Sequence, residues 1–448
     1  MDTIAAIATG YERSAIGIVR VSGERAIELA ERVFKTKAHA LEPKKLYFGE
    51  FLNSDGDVID RCLCTVSRAP ASYTGEDTAE FQCHGSPVVL GEALRTLFKL
   101  GARQAEAGEF TKRAFLNGKM DLTSAEAVVD LIDAESISAA KEAAKQLGGA
   151  VFEKIDEIYT QIVNIISDFE VTIDFPDDET PEFVLEEKRE TLEKAEKTLA
   201  SLADSFENGG RYLKAGVPCA LIGRPNVGKS SLLNALVGFD RAIVTPVAGT
   251  TRDTIEEVCA LGGVALRLVD TAGLRDTEDE IEREGVRRSV RAAKEAELVI
   301  GVFDGSEAFS PDDESVLSAL ADAKRAVALV NKCDKKRVLE LKAPEKVPVF
   351  EVSAKTGEGL GALSEFIGAE FAARDKSAVT ITSARQFEAV NAARGALAAA
   401  MEGLRGGLTP DAVLTELEDA AASLAKLTGR RVTDDVVHDI FSRFCVGK

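Results

Sequence analysis

A glycine-bounded loop in the middle of the sequence carries the residue types that bind phosphate. Residues 223–230 read Gly-Arg-Pro-Asn-Val-Gly-Lys-Ser, which fits the pattern G-x-x-x-x-G-K-[ST]. The N–H groups of such a loop surround phosphate oxygens, and the start of the following helix adds partial positive charge. We therefore expect Lys229 to reach the β- and γ-phosphates of a nucleotide, and the Ser230 hydroxyl to ligate Mg²⁺.

A second motif selects the base of that nucleotide. Residues 331–334 read Asn-Lys-Cys-Asp and end an apolar run. The Asp334 carboxylate can accept two hydrogen bonds from the ring N–H and the exocyclic amine of guanine, a donor pair that adenine lacks. Asn331 lies 61 residues after Asp270, and Ser353 lies 19 residues after Asp334. The order and spacing of these elements predict that the chain binds GTP.

The segments between these motifs supply groups for Mg²⁺ and for the γ-phosphate. Asp270 would hold the magnesium shell, the Gly273 N–H would meet the γ-phosphate, and Thr251 would close on Mg²⁺. Ras-type GTPases orient the attacking water with a glutamine, but this chain has Leu274 after Gly273. Leucine cannot orient water, so another polar group must act or hydrolysis is slow. The acidic stretch 276–284 supplies candidates.

Strands and helices alternate around these motifs from about residue 217 to 372. A short helix is expected directly after the phosphate loop, at 231–236. This alternation is typical of a doubly wound, mostly parallel α/β sheet. The predicted buried strands cover residues 218–222, 264–270, 298–304, 326–331 and 347–352.

The regions on either side have a different pattern of apolar residues. Residues 1–119 read as mixed α and β structure, whereas the spacing of apolar residues from 122 onward predicts long helices. Thr123 and Glu126 have the spacing of a capping box at the start of the first of these helices, and a break is expected at 148–149. After residue 377 the sequence is again helical, so an α/β domain interrupts a helical one. In the first region, strands are predicted at 16–21, 62–66 and 78–83, and helices at 24–34 and 87–100.

Composition limits the class of protein. The 448 residues suggest about three domains. The chain has 75 acidic and 55 basic residues, a net charge of −20, yet residues 1–119 carry 16 of each sign. Such an acidic chain is not expected to coat nucleic acid or anionic membrane non-specifically. Seven scattered cysteines, the lack of an apolar run of about 18 residues and the lack of a signal peptide predict a cytoplasmic protein.

Motifs spread along the whole sequence carry a family resemblance. The chain resembles the MnmE (TrmE) family of tRNA-modification GTPases over essentially its full length. Val446 is a conservative departure, since the family usually has isoleucine there. The matching segments are 17–23 (GIVRVSG), 72–77 (SYTGED), 108–119 (GEFTKRAFLNGK), 173–176 (IDFP), 248–253 (AGTTRD) and 444–448 (FCVGK).

The resemblance implies an architecture and a set of partners. It implies an α+β folate-binding and dimerisation domain at 1–119, a helical domain from 120–212 and 375–448, and a GTP-binding G domain at 213–374. Family members form homodimers. They act with the FAD-dependent protein MnmG (GidA) to place an aminomethyl or carboxymethylaminomethyl group on the wobble uridine of tRNA. The one-carbon unit comes from formyl- or methylene-tetrahydrofolate.

The resemblance also assigns a role to single residues in GTP hydrolysis. Asn226 would coordinate K⁺ together with groups at Thr245, Val247 and Thr250. A cation there can supply the charge that an arginine finger provides elsewhere. Glu282 occupies the position thought to orient water. The full expected GTP-binding set is Asn226, Val227, Gly228, Lys229, Ser230, Ser231, Thr245, Pro246, Val247, Ala248, Gly249, Thr250, Thr251, Asp270, Thr271, Ala272, Gly273, Asn331, Lys332, Asp334, Ser353 and Ala354.

A separate set of residues corresponds to the folate site of the family. Arg20, Glu80, Lys119 and Lys448 match its positions. Guanidinium and ammonium groups suit the glutamate carboxylates of a folate, and a carboxylate suits the pterin N–H edge. Cys445 has been considered catalytic in the family, and a packing or positioning role is the alternative.

Two other functions share the nucleotide motifs. One is a regulatory RNA-binding GTPase of ribosome assembly, and the other is a GTP-gated scaffold whose partner carries out all of the tRNA chemistry. The first 119 residues favour tRNA modification over ribosome assembly, since an assembly factor has no need of the Arg20, Lys119 and C-terminal set. The sequence does not separate the enzyme from the scaffold. Because the chain is acidic, we expect much of the tRNA contact to come from the partner.

Overall fold

The computed structural model describes residues 2–174, 182–239, 257–268, 293–371 and 379–448. The chain forms two compact units, and each unit is assembled from separated segments. The first unit comprises Met1–Val129, Gln146–Val163 and Ala421–Lys448, and the second comprises Asp130–Lys145 and Asn164–Ala420.

The first unit contains a seven-stranded sheet. Its order is β3-β4-β5-β6-β2-β1-β7, and neighbouring strands are antiparallel except β1 and β7. The register places Arg20 directly opposite Glu80. The strands are β1 (Ile4–Ile7), β2 (Ser14–Ser22), β3 (Phe34–Thr36), β4 (Leu46–Leu52), β5 (Val58–Ser67), β6 (Thr78–Gly85) and β7 (Arg103–Gln104).

Alternating side chains divide this sheet into a buried and a more exposed face. Along β6, Ala79, Phe81 and Cys83 are buried, while the residues between them are partly exposed. The buried face packs with helices α1 (Ala26–Val33) and α2 (Pro87–Lys99) into one core. The predicted strands and helices of this region are therefore confirmed. The structure adds β1, β3, β4 and β7, which are short or irregular in pattern.

Helices follow the sheet along the chain. The predicted break at 148–149 is confirmed, because Gly149 has a left-handed φ of +88° between α5 and α6. The helices are α3 (Glu109–Leu116), α4 (Leu122–Ile132), α5 (Ile137–Leu147), α6 (Ala150–Asp174), α7 (Glu182–Ser205) and α8 (Arg211–Ala215).

The capping box predicted at Thr123 is wrong. Helix α4 begins at Leu122, so Thr123 already lies inside the helix. The Asp121 side chain takes the capping role instead, since its Oδ1 accepts hydrogen bonds from the Thr123 N–H at 2.8 Å and the Ser124 N–H at 3.1 Å. A carboxylate just before a helix is both a strong acceptor and favourably placed in the helix dipole.

The second unit contains the predicted doubly wound sheet. Its order is β13-β12-β11-β8-β10-β9, and the pairs are parallel except β9 with β10. The carboxyl ends of β8, β11 and β12 therefore meet at one edge of the sheet, where ligands bind in folds of this class. The elements are β8 (Val217–Ile222), α9 (Lys229–Phe239), β9 (Glu257–Leu261), β10 (Val264–Leu268), β11 (Leu298–Asp304), α10 (Pro311–Asp322), β12 (Ala326–Asn331), β13 (Val349–Glu351) and α11 (Leu360–Phe371).

Three further helices complete the described chain: α12 (Ala384–Gly406), α13 (Pro410–Thr428) and α14 (Asp434–Ser442). Helix α12 lies along α7, where Arg394 donates to Glu196 at 2.9 Å and the rings of Phe206 and Phe387 stack at 4.6 Å. Among the residues that the structure describes, no helix is long and apolar enough to cross a membrane.

Candidate functional site

The phosphate loop connects β8 to α9, and two of its positions have room only for glycine. A Cβ atom at Gly223 would lie 2.5 Å from the Val302 carbonyl oxygen. A Cβ atom at Gly228 would lie 2.5 Å from the Asn331 amide nitrogen, and Gly228 has a φ of +96°. The glycines of the motif therefore allow the loop to pack against β11 and against residues 331–334.

The Asn-Lys-Cys-Asp motif at 331–334, called here the guanine motif, holds the centre of the phosphate loop. The Asn331 side chain donates to the Val227 carbonyl at 2.8 Å, and the Lys332 ammonium donates to the Asn226 carbonyl at 3.0 Å. Asn226 itself has a left-handed φ of +62°, a conformation that asparagine adopts more readily than most residues. Residues more than 100 positions apart in sequence thus meet here, as the order of the motifs predicts.

Lys229 lies over the loop as a partly buried cation. Its ammonium donates to the carbonyl oxygens of Gly223 at 2.6 Å and Arg224 at 2.9 Å. Burial lowers the pKa of Lys229 to about 8, because desolvation disfavours the charged form. A phosphate beside this ammonium would favour its charged form and raise the pKa again. Ser230 and Ser231 follow in the first turn of α9.

The Asp334 carboxylate is oriented by its neighbours. The Ser353 hydroxyl donates to Asp334 Oδ1 at 2.7 Å, and this hydrogen bond lowers the pKa of Asp334. The Ala354 N–H donates to Asn331 Oδ1 at 3.0 Å. Asp334 is therefore an ionised acceptor at neutral pH. The structure brings Asn226, Val227, Gly228, Lys229, Asn331, Lys332, Asp334, Ser353 and Ala354 into one connected set.

Several predicted site residues lie outside the described residues. Their roles stay predictions from the sequence, including the water-orienting role of Glu282 and the Mg²⁺ role of Asp270. Among the residues that are described, no group of three or more His, Cys, Asp or Glu side chains forms a metal site. The residues outside are Thr245, Pro246, Val247, Ala248, Gly249, Thr250, Thr251, Asp270, Thr271, Ala272, Gly273, Leu274 and Glu282.

Asp304 belongs to this site, although the sequence motifs do not include it. It ends the fully buried strand β11 and accepts the Lys332 ammonium at 2.5 Å and the Ser306 hydroxyl at 2.7 Å. Burial pushes the pKa of Asp304 up, but these hydrogen bonds outweigh burial and lower it. The available signal was an acidic residue at the carboxyl end of a strand that is otherwise entirely apolar.

The N-terminal sheet carries the second candidate site. Arg20 on β2 donates from Nε to Glu80 Oε1 on β6 at 2.7 Å, and both side chains are mostly buried. The Arg20 guanidinium also lies 5.8 Å from the centre of the Tyr73 ring and 5.6 Å from that of Phe110. Two rings and one carboxylate therefore fix the direction of the guanidinium.

The end of the described chain lies at this second site. Arg20 Nη1 donates to the Gly447 carbonyl at 3.4 Å, and the Phe110 N–H donates to the Lys448 carbonyl at 3.1 Å. A Cβ atom at Gly447 would lie 2.2 Å from the Ile7 carbonyl oxygen, so only glycine fits there. Residues 444–448, called here the tail, are thus packed on the seven-stranded sheet of the first unit. The tail brings Cys445, which is exposed, and Lys448 to the same region as Arg20.

Lys119 lies beside the loop 72–77, which carries Tyr73 next to Arg20. Its Cγ would be 3.2 Å from a Cβ atom at Gly75, which has a φ of +78°. Gly75 and Tyr73 belong to the same segment, 72–77. The structure therefore connects Lys119 to this region through the loop, whereas Arg20, Glu80 and the tail are in direct contact.

Matches to known proteins cover the whole chain. A family model described as "GTP-binding protein TrmE N-terminus" matches residues 3–119, and one described as "MnmE helical domain" matches residues 122–445. The protein named tRNA modification GTPase MnmE of Acetivibrio thermocellus is 39% identical over 457 residues, which cover 100% of this chain and 99% of the relative. The chain belongs to the MnmE family. The resemblance predicted from the sequence motifs is confirmed.

Other MnmE proteins match as completely. That of Symbiobacterium thermophilum is 42% identical over 461 residues, with 100% of this chain and 99% of the relative covered. Among solved structures, the G domain of the FeoB iron transporter of T. maritima is 32% identical with a TM-score of 0.25. It covers 34% of this chain and 96% of that chain. The two family models, together with the sheets and helices described above, confirm the predicted fold class: an α/β G domain inserted in a helical domain, after an α+β domain.

Proposed function

We propose that this chain is a GTPase that takes part in tRNA modification. The observation that carries the proposal is the connection between its two nucleotide motifs. Asn331 and Lys332 hold the phosphate loop while Asp334, in the same motif, is oriented by Ser353. The relatives that match the whole chain are named tRNA modification GTPases.

The described residues have distinct tasks in the proposed GTP site. Asp334 reads guanine through its two carboxylate oxygens, and Lys229 neutralises charge on the β- and γ-phosphates. Ser230, in the first turn of α9, is the described residue that would hold Mg²⁺, together with Thr251 and the shell of Asp270. The bound cation would neutralise charge that develops on the phosphates.

We propose further that K⁺ assists hydrolysis. Asn226 in the phosphate loop supports this proposal, since its left-handed backbone is held by Lys332 and its side chain carries a carboxamide oxygen. Leu274 follows the Asp-Thr-Ala-Gly motif and cannot orient water, so Glu282 takes that task in the proposed mechanism. Thr245, Val247 and Thr250 would complete the K⁺ shell.

The K⁺ proposal is tested by hydrolysis in matched salts. We expect GTP hydrolysis to run on the order of tenfold or more faster in KCl than in NaCl at equal ionic strength, because a cation beside the phosphates stabilises the charge of the transition state. Asn226→Gly keeps the left-handed backbone and removes the carboxamide, so it should bind GTP but lose the response to K⁺. Equal rates in both salts for the wild-type chain would refute the cation mechanism.

The tRNA step is proposed to need a partner and a folate. The chain would act as a homodimer in the cytoplasm with the flavoprotein MnmG, and would supply a formyl- or methylene-tetrahydrofolate site. Arg20 and Glu80 support this site, because they pair inside the sheet next to the chain end that brings Lys448 and Cys445. Lys119 is the fourth proposed folate residue. The guanidinium would meet a folate carboxylate, and the Glu80 carboxylate a pterin N–H edge.

Analysis of wobble uridine in tRNA tests the function as a whole. A strain that lacks this gene should lose the aminomethyl-type modification, and the wild-type gene should restore it. Arg20→Ala should restore little or none, although the purified variant still hydrolyses GTP at the wild-type rate. Calorimetry with formyl-tetrahydrofolate separates the two roles, since wild-type folate affinity in Arg20→Ala would remove Arg20 from the site.

A GTP-gated scaffold remains the second candidate function. In this function the flavoprotein partner carries out all of the tRNA chemistry. Full modification by the partner and a nucleotide-locked form of this chain, without turnover of GTP, would favour the scaffold.

A further inference from the structure

The second residue of the phosphate loop is tied to the helix that follows β11. The Arg224 side chain leaves the loop and reaches the start of α10. Its Nη2 lies 2.7 Å from Glu307 Oε2, and its Nε lies 3.4 Å from Asp313 Oδ1. Only 17% of the Arg224 side chain is exposed. The guanidinium is therefore directed at two carboxylates of one segment.

Asp313 is the more buried of the two anchors, and it attracts Arg224 by charge at 3.4 Å without a hydrogen bond, whereas Glu307 makes the shorter contact. The Asp313 side chain is 1% exposed, whereas that of Glu307 is 56% exposed and is screened by solvent. The other carboxylate oxygen of Asp313 accepts from the Ser310 N–H at 2.9 Å and from the Ser310 hydroxyl at 3.0 Å, in the capping box of α10. The helix start thus fixes the carboxylate that meets Arg224.

The same segment reaches the loop at a second point. Asp304, where the segment begins, accepts the Lys332 ammonium, and that ammonium also donates to the Asn226 carbonyl. Residues 304–313 therefore support the phosphate loop directly at Arg224 and, through the Lys332 ammonium, at Asn226. These two points lie on either side of Pro225. The loop N–H groups that would meet phosphate lie between and just after these two supports.

We infer that Arg224 is a positioning residue for nucleotide phosphate: it anchors the phosphate loop to Asp313 and Glu307 of the β11–α10 segment. The inference rests on the proposed binding of a guanine nucleotide. Two carboxylates neutralise the guanidinium, so Arg224 acts through the shape of the loop and not as a phosphate ligand. The anchor holds the N–H groups in the arrangement that the β-phosphate requires.

The sign of one substitution separates an anchor from a direct ligand. Asp313→Asn keeps an oxygen that can cap α10 through Ser310, but it weakens the hold on Arg224. If Arg224 anchors the loop, affinity for GDP falls. If Arg224 were a phosphate ligand restrained by Asp313, its release would raise the affinity for GDP, and that result would overturn the inference.

A double variant guards against a folding defect. Arg224→Met alone would leave the Asp313 carboxylate buried and unpaired, whereas Arg224→Met with Asp313→Asn removes both charges and keeps the volume. In the full-length chain we expect the double variant to bind GDP about tenfold more weakly and to release it faster, because the loop has lost a charge-assisted contact. Affinity for GMP, which has no β-phosphate, should change less than about twofold.

The comparison of GDP with GMP gives a readout that general destabilisation would not produce. Fluorescent GDP displaced by unlabelled GDP or GMP supplies both affinities. Glu370→Gln is the matched control, because the exposed Glu370 pairs with the partly buried Arg325 at 3.1 Å, just before the amino end of β12. Equal losses for GDP and GMP, or no loss for GDP, would overturn the positioning role of Arg224. Failure of the wild-type chain to bind GDP would instead overturn the proposed function, and the inference with it.

Discussion

Replacing Asp334 with asparagine is expected to move the preference of the nucleotide site from GTP to XTP. The carboxylate accepts hydrogen bonds from two N–H donors of guanine, whereas a carboxamide turns one of these acceptors into an NH₂ donor. Xanthine has a carbonyl oxygen where guanine has its exocyclic amine, so the new donor finds an acceptor there. With guanine bound, the new donor would face a donor and stay unpaired, so we expect GTP affinity to fall on the order of a hundredfold or more.

The structure indicates that this substitution changes base recognition and leaves the neighbouring contacts in place. The Ser353 hydroxyl holds Asp334 Oδ1, and an amide oxygen at the same place could accept the same hydrogen bond. Asn331, which holds the phosphate loop, is unaffected by the change. Competition of GTP and XTP against a fluorescent nucleotide measures the switch. Asp322→Asn, an exposed carboxylate-to-amide change at the end of α10, should leave both affinities as they are.

Unchanged GTP affinity in Asp334→Asn would show that this residue does not read the base. The lowered pKa of Asp334 gives a second check, because its carboxylate stays ionised well below neutral pH. Its contribution to GTP binding should therefore be constant from pH 6 to 8 and should decline only as the pH falls towards the pKa of the carboxyl.

The nucleotide site could be predicted from the sequence because each of its motifs is a short continuous segment. Each motif sits at the carboxyl end of a strand, and a parallel sheet brings those ends together. The strand bounds 298–304 and 326–331 agree with β11 and β12, since both strands are buried on both faces and read as continuous apolar runs. Strand β9 was not predicted, although residues 258–261 form a short apolar run; it is a five-residue edge strand that pairs antiparallel with β10.

Contacts that arise only from tertiary packing could not be predicted. Nothing in the local sequence connects Arg224 with Asp313, because their meeting depends on how α10 packs beside the phosphate loop. The capping by Asp121 instead of Thr123 has a local cause, since two possible acceptors lie within three residues of each other. The folate residues came from the family resemblance, and the structure adds the chain end at Gly447 to Arg20 and Glu80.

The segment 108–119 contributes a buried charge network that the sequence did not predict. Its Arg113 is only 5% exposed and lies in a network of charges in the N-terminal unit. Arg113 Nη2 donates to Asp2 Oδ1 at 2.6 Å and to Glu109 Oε1 at 3.0 Å, and its Nη1 donates to Glu76 Oε2 at 3.1 Å. Arg103 reinforces the network, since it donates to Glu109 Oε1 at 2.6 Å. One guanidinium thus joins α3 to the start of the chain and to the loop before β6.

Removing Arg113 is expected to destabilise the N-terminal unit more than any surface change. In Arg113→Met the Glu76 and Glu109 side chains, each 11% exposed, would lose a buried partner. Breaking a buried ion pair from one side leaves an uncompensated charge, so we expect the free energy of unfolding to fall by about 3 kcal/mol. Native-state hydrogen exchange of the full-length chain, followed at β2 and β6, measures this loss in the unit concerned.

A matched arginine and a second substitution test the cause. Arg25→Met removes a guanidinium that pairs with Glu28 on the surface of α1, and it should cost far less, because solvent screens an exposed pair. Arg113→Met with Glu109→Gln should recover part of the loss, because the double variant has one less unpaired buried charge. If Arg113→Met costs no more than Arg25→Met, the network does not stabilise the fold.

Acid should reduce the difference between the wild-type chain and Arg113→Met. The hydrogen bond from Arg103, with that from Arg113, lowers the pKa of Asp2 from 3.8 to about 2. A carboxyl whose pKa is lowered in the folded state stabilises the fold fully above its unfolded pKa, and loses that contribution as the pH falls through its folded pKa. The part of this stabilisation that comes from Arg113 is therefore complete above about pH 4 and declines towards pH 2, whereas the part from Arg103 is present in both proteins. The same hydrogen-exchange experiment at pH 7 and pH 3 should show the two proteins approaching one another in stability, and a constant difference would mean that Arg113 acts through packing and not through its charge.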